Sequence, residues 1–490
     1  MTLPATEMMT LPRRAQRALL KGFCLIATGA MLCAYYGSGV SLPPKVSAGA
    51  IGLIALWAVS GGLFAKPALL PRFMLLLYAL PFSGFIAYVL LKDFMWWEAP
   101  AAVSLVLDPA VTADMAQTGL VGILGLCAGC CLGEWPAPIP APRDTGNPRL
   151  SSATYLVLLA AAVLVPWTSA RGAASREEYF TDALEAATAT GVGGSIFLVS
   201  YSLLVVLGID ALRETLPTLK RLKVIALLVG VTYVVVVLQL LRGDRESLGL
   251  LVALGALYVS HRPDEETDVA QAVNRRIRGL LPVAVGTLCA FLAVGQLRYA
   301  GGGTAGGVSA LTAVSGEVVS GGTWTAVLLG NLGLSGEHVG GGMAFLNGKT
   351  YVDYLLSLPP GFVTRSLGIV RPLESLNGPG LWYYPLQWGG VHPVVVPFKN
   401  FGPFGVLLVL GMFGFVIARR EYWSRLTTFW PRLWYASFFL GSFSWFWYGD
   451  MPFIRTLMAA GLVGGAVRLW LYLTRNPLAA TASFDTVARP

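Results

Sequence analysis

Long apolar runs separated by short polar stretches dominate the chain, and their lengths predict helices that cross a membrane. The runs fall at 22–41, 46–65, 73–91, 118–134, 150–168, 187–209, 224–241, 246–261, 279–297, 402–418, 430–447 and 452–472. A helix of about 20 apolar residues spans a hydrocarbon core of about 30 Å. In lipid, only helices and closed barrels pair every backbone polar group. The expected fold is an all-α polytopic membrane protein of about 12 transmembrane helices. Helices 1–9 occupy residues 1–297, a large loop with short interfacial helices occupies 298–401, and the last three helices with a tail occupy 402–490. The run at 246–261 is short, and 100–117 has room for a re-entrant piece. The two halves of the chain show no similarity, which weighs against a repeat-built transporter.

Composition agrees with this pattern. Of 490 residues, 55% are hydrophobic and 12% are charged, whereas a soluble domain carries about a quarter charged residues. Intrinsic disorder, a basic nucleic-acid-binding domain and a disulfide-stapled secreted fold are excluded. The net charge of +9 comes from 35 Lys and Arg against 26 Asp and Glu. With the N-terminus inside, 23 of the 35 basic residues fall on the inner side, so the positive-inside rule makes both termini cytoplasmic. Arg13, Arg14, Arg17 and Lys21 precede the first run as they would in a signal peptide. That run ends near Tyr35-Tyr36 and Gly/Ser without a small-x-small site, and reads as a retained span. All six cysteines lie in apolar runs. Cys127-x-x-Cys130 has the spacing of a metal or redox site, but its Gly/Ala/Leu surroundings favour helix packing.

The outer-face residues carry the candidate chemistry. The loop after 298 begins rich in glycine, with Gly301-Gly302-Gly303, Gly306-Gly307 and Gly340-Gly341-Gly342. Residues 351–356 then predict a short amphipathic or interfacial helix, stopped by Pro359-Pro360-Gly361. Trp382, Tyr383, Tyr384 and Trp388 follow, and offer either an interfacial belt or flat faces for sugar rings. Arg242 and Arg245 sit in a hairpin between two runs, on the side where cations are disfavoured. One reading is a clamp for a phosphorylated lipid headgroup, since guanidinium donors match phosphate oxygens. The other is a snorkelling pair balanced by Asp244 and Glu246. Arg298, Arg365, Arg371 and Arg455 add outer-face charge that, if convergent, makes one anionic pocket; Arg455 has a salt bridge to Asp450 as its alternative. His392 is a candidate general base because imidazole titrates near working pH, with a loop histidine held by hydrogen bonds as the alternative. His338 lies beside Glu337 among glycines, and His261 marks the end of a run. No Walker A lysine, dinucleotide fingerprint, HExxH or outer-face Asp-x-Asp occurs.

Four stretches together resemble the Wzy-type oligosaccharide repeat-unit polymerases, relatives of the O-antigen ligases. They are Leu238–Arg245, Asn347-Gly348-Lys349-Thr350-Tyr351 with Leu358-Pro359-Pro360, Gly389-Gly390-Val391-His392, and Asn400-Phe401-Gly402-Pro403-Phe404-Gly405. The resemblance covers roughly residues 220–420. Relatives are expected to carry an acidic residue before the Asn-Phe-Gly element; here 394–399 has none, which turns attention to His392 or Glu337 as base. The resemblance implies a metal-independent, cofactor-free glycosyltransferase in the bacterial inner membrane. It would move a growing glycan from undecaprenyl pyrophosphate onto the non-reducing end of a new lipid-linked unit at the periplasmic face. Arg242, Arg245, Arg298, Arg365, Arg371 and Arg455 would bind pyrophosphate, and Trp382, Tyr383, Tyr384 and Trp388 would bind sugar. Membrane lipid and a chain-length regulator are the implied partners, with no nucleic acid. An O-antigen ligase acting on lipid A–core and a lipid-linked sugar flippase are the rival expectations.

Overall fold

The computed structural model describes residues 13–39, 42–60, 63, 70–79, 109–134, 150–171, 193–212, 214–238, 251, 282, 286, 347–357, 366–367, 393–420, 429–448 and 450–475. Every regular element among them is helical. In chain order these are α1 (Arg13–Gly37), α2 (Pro44–Val59), α3 (Leu70–Ala79), α4 (Pro109–Gly133), α5 (Ser152–Arg171), α6 (Gly193–Leu212) and α7 (Pro217–Thr232). A π-helical turn (Tyr233–Val237) continues α7, and α8 (Lys349–Ser357), α9 (Val395–Arg420), α10 (Phe429–Tyr448) and α11 (Asp450–Arg475) follow. Each apolar run that falls on described residues is a helix; the runs at 246–261 and 279–297 lie outside them apart from single positions. Three stretches, Gln16–Tyr35, Ala116–Gly133 and Asn400–Arg420, are long and apolar enough to cross a membrane. α1 begins at Arg13 and carries the four basic residues that precede the first run.

The chain divides into two compact units. The first comprises Met1–Arg143, Leu288–Tyr422 and Ser442–Met451, and α4 is its central helix. The apolar stretch of α4 is 94% buried, against 22% for that of α1 and 39% for that of α9. A helix apolar all round is shielded from water by other helices or by lipid, and here other helices enclose it. Small residues allow α4 and α9 to meet backbone to backbone. A Cβ on Gly125 would sit 2.6 Å from the Leu407 carbonyl oxygen, and one on Gly129 or Gly414 would strike the Gly411 or Leu126 carbonyl. Gly125 lies beside Leu407 and Gly129 beside Gly411, so the two helices run parallel. By contrast, Gly22 of α1 meets Leu132, while Leu32 accepts from the Gln117 side chain at 3.3 Å, so α1 runs antiparallel to α4. Gln117 Oε1 also accepts from the Leu42 amide at 2.8 Å, fastening the connection between α1 and α2 to the start of α4. Cys127, Cys130 and Cys131 are all buried in α4, where thiols pack as small apolar groups.

The second unit comprises Asp144–Thr287, Trp423–Gly441 and Pro452–Pro490. Here Leu159 and Val163 of α5 close over Gly230 of α7, and Tyr155 Oη donates to the Lys223 carbonyl at 3.1 Å, so these helices also run parallel. Phe438 and Phe453 pack edge to face at 5.5 Å, joining α10 to α11.

Candidate functional site

Two motif segments separated by about fifty residues in sequence meet at the start of α9. Asn347 and Gly348 take left-handed backbone angles, φ 48° and 84°, which Asn and Gly tolerate best. This turn points the chain into α8. The Asn347 amide donates to the Asn400 carbonyl at 3.1 Å. One turn further on, the Thr350 amide donates to Asn400 Oδ1 at 3.3 Å. The opposite end of the same side chain, Nδ2, donates to the Val396 carbonyl at 2.8 Å. Asn400 is completely buried and Thr350 nearly so. The asparagine side chain therefore caps a helix to which it does not belong, supplying an acceptor for one of the donors that every helix start leaves open. Tyr351 adds a ring stacked on Phe401, with centroids 6.1 Å apart and planes 7° apart.

The remainder of the Asn-Phe-Gly-x-x-Gly element has an architectural explanation. Gly402 adopts φ 65° and ψ −160°, a conformation essentially reserved for glycine, and it breaks α9 into a short leading piece and a long helix entered through Pro403. Gly405 lets the leading piece fold back closely, since a Cβ there would lie 2.8 Å from the Pro397 carbonyl oxygen and against Phe401. Lys349 opens α8 with no acidic residue in the first turn. A cation there opposes the helix dipole, which favours negative charge at that end. Val394, Val395, Val396 and Phe398 line the leading piece and are buried.

A widened helix leads to the start of the Leu238–Arg245 stretch. The Leu238 amide donates to the Tyr233 carbonyl at 3.1 Å, closing the π turn just before the Leu238–Arg245 stretch. Single π turns inside helices recur at functional sites. Arg242, Arg245, Glu337, Arg298, Arg365, Arg371, Trp382, Tyr383, Tyr384, Trp388 and His392 lie outside the described residues. Of the predicted site residues only Arg455 falls on a described helix, in the second turn of α11. Five residues separate it from Asp450 on that helix, which places the two positions about 140° apart around the axis.

One ionic cluster escaped the sequence reading. Lys223, counted there as a cytoplasmic charge, is buried at the start of α7. Its Nζ donates to Asp210 Oδ2 and Glu214 Oε2, each at 2.9 Å, and to the Leu150 carbonyl at 3.4 Å. The Tyr155 ring lies 5.1 Å from the same ammonium. The hydrogen bond from Lys223 holds the Glu214 carboxyl below its ordinary value, against the opposing effect of burial. Every donor of the ammonium has an acceptor, so this cluster staples α5, α6 and α7 together rather than offering an open site. The sequence signal was present: Asp210 and Glu214 stand four apart just before Pro217 opens the next helix.

Compared with protein families, curated proteins and solved structures, the chain matches none of them.

Proposed function

We propose that the protein is a bacterial inner-membrane glycosyltransferase that polymerises undecaprenyl-pyrophosphate-linked oligosaccharide units at the periplasmic face. In this reading the chain crosses the membrane about 12 times. Both termini are cytoplasmic, and 298–401 forms the periplasmic loop. The observation that carries the reading is the union of Asn347–Thr350 with Asn400. Two short elements chosen from sequence for their resemblance to one family are hydrogen-bonded to each other at the end of a helix long enough to span a bilayer. Helix direction supports it too, since α4 and α9 run parallel and α1 opposes them, as an alternating path through 12 runs demands.

The chemistry needs no nucleotide and no metal. An acceptor hydroxyl on the non-reducing sugar of the incoming unit attacks the anomeric carbon of the chain held on the donor lipid. The new glycosidic C–O bond forms as the bond from that carbon to the phosphate oxygen breaks. Undecaprenyl pyrophosphate leaves with the bonding electrons, and the acceptor proton passes to a base, His392 or Glu337. Arg242 and Arg245, joined by Arg298, Arg365, Arg371 and Arg455, stabilise charge growing on the departing pyrophosphate. Trp382, Tyr383, Tyr384 and Trp388 hold sugar rings.

Deletion of the gene separates this reading from its neighbours. A polymerase mutant leaves single repeat units on the final glycolipid. A ligase mutant leaves none there and accumulates lipid-linked chains, and a flippase mutant accumulates units inside the cell. Either of the last two results overturns the proposal.

A further inference from the structure

We propose that α8 is seated in the headgroup region of the outer bilayer surface, with its Val352–Leu355 face towards the lipid. The inference rests on the membrane reading above and adds a location and a partner for one segment. Height is the first argument. Asn400 lies just before the break at Gly402, and the long helix beyond it, Pro403–Arg420, extends about 27 Å at the helical rise of 1.5 Å, close to the thickness of a hydrocarbon core. Arg419 and Arg420 occupy the last turn and mark the cytoplasmic end. Asn400 therefore stands at the opposite surface. The two hydrogen bonds from Asn347 and Thr350 to Asn400 hold the first turn of α8 at that same level.

The second argument is the face itself. Tyr351, Val352 and Leu355 fall within an arc of about 100° on a helix with 3.6 residues per turn. Tyr351 stacks on Phe401, while Val352 and Leu355 remain 55% and 66% exposed. Continuity supplies the third argument. On α9, Phe404, Leu408 and Met412 recur every four residues and are 55%, 63% and 63% exposed, an apolar stripe running along the spanning helix. Phe401, 44% exposed, prolongs apolar surface to the stacked Tyr351. The apolar surface of α9 thus passes to α8 at the membrane boundary, where a short helix rests with its apolar side in the headgroup layer. The occupant that fits is the phospholipid surface already surrounding α9.

Nitroxide labels on the full chain in phospholipid nanodiscs test this. Val352→Cys, Leu355→Cys, Leu408→Cys and Met412→Cys would be made singly, in a chain in which the exposed Cys24 is serine and Cys289 is likewise replaced. Collision of each label with oxygen and with a water-soluble nickel chelate would then be measured. The proposal expects oxygen to exceed the chelate at 352 and 355, by less than at 408 and 412, because the headgroup layer is shallower than the core. Chelate collision equal to or above oxygen at 352 and 355 overturns it. So does low collision with both reagents there, which would mean a covering protein segment or second copy. If 408 and 412 also favour the chelate, the membrane reading itself fails, a result separable from failure at α8 alone.

Discussion

Replacing Asn400 by alanine isolates the junction between α8 and α9. The side chain is fully buried and uses both ends, accepting from the Thr350 amide at 3.3 Å and donating to the Val396 carbonyl at 2.8 Å. Alanine retains the Asn400 backbone carbonyl and hence the bond from Asn347. It leaves the buried Thr350 amide without this acceptor, whereas Val396 keeps a place in the helical ladder of α9. Orphaning one buried donor costs about 1–3 kcal/mol. The loss falls on the docking of α8 and not on the α4–α9 contact, which rests on glycines further along both helices. At 1.4 kcal/mol per decade, the undocked population of α8 rises about 5- to 140-fold. Hydrogen exchange followed by mass spectrometry on peptides covering 347–357 reads this directly, with peptides from α4 as the internal reference. Faster exchange in 347–357 with unchanged α4 is the expected result. Unchanged exchange at 347–357 in a folded Asn400→Ala protein would refute the capping argument.

Other consequences follow from the same reasoning. Lys223→Met strands Asp210 and Glu214, whose side chains are 13% and 5% exposed. A loss of about 3 kcal/mol in detergent unfolding is expected, the low end for breaking a buried pair because Asp210 keeps some water contact. Adding Asp210→Asn and Glu214→Gln should restore part of it, and no recovery would show that the charges were not the cause. Because the Glu214 carboxyl is depressed in the fold, its contribution is present above the unfolded value near 4.3 and is lost as pH falls through the lower folded value. Glu214→Gln should flatten the acid limb of the stability profile below about pH 4, and an unchanged limb would contradict this. Gly129→Leu should prevent α4 and α9 from closing at Gly411 and abolish accumulation of folded protein; a stable, well-folded variant would show that the two backbones do not meet there. Arg242→Ala and Arg245→Ala should shift the glycan ladder towards single units with normal membrane levels, and unchanged ladders in both would remove the phosphate-clamp role.

Hydropathy made most of the helices legible because a span must satisfy its own backbone in lipid, a requirement written locally in every apolar run. What it could not convey was which helices touch. The enclosed position of α4 is foreshadowed by Gly122, Gly125, Gly129 and Gly133 at three- and four-residue spacing, yet only their neighbours explain them: Tyr78 at Gly122 and the backbones of Leu407, Gly411 and Phe415 at the other three. Lys223 was read as surface charge because charge counting cannot distinguish a solvated lysine from one enclosed by Asp210, Glu214 and the Leu150 carbonyl. The Asn347–Tyr351 and Asn400–Gly405 elements were visible as motifs, but their pairing depends on a contact across about fifty residues and on the left-handed angle at Gly402. For the second of these, structure supplies a reason that sequence did not: much of the element builds a kink and a clamp. The candidate base and the arginines rest on their chemistry and on the resemblance, since His392, Arg242 and Arg245 fall outside the described residues.

The central claim is most directly tested by purified protein in nanodiscs given undecaprenyl-pyrophosphate-linked oligosaccharide as both donor and acceptor, without nucleotide sugar and with a divalent-metal chelator present. The account predicts a ladder of lipid-linked products growing by whole repeat units, with release of undecaprenyl pyrophosphate, and no ladder from Arg245→Ala protein. Absence of any lengthening by folded wild-type protein on verified substrate would contradict it.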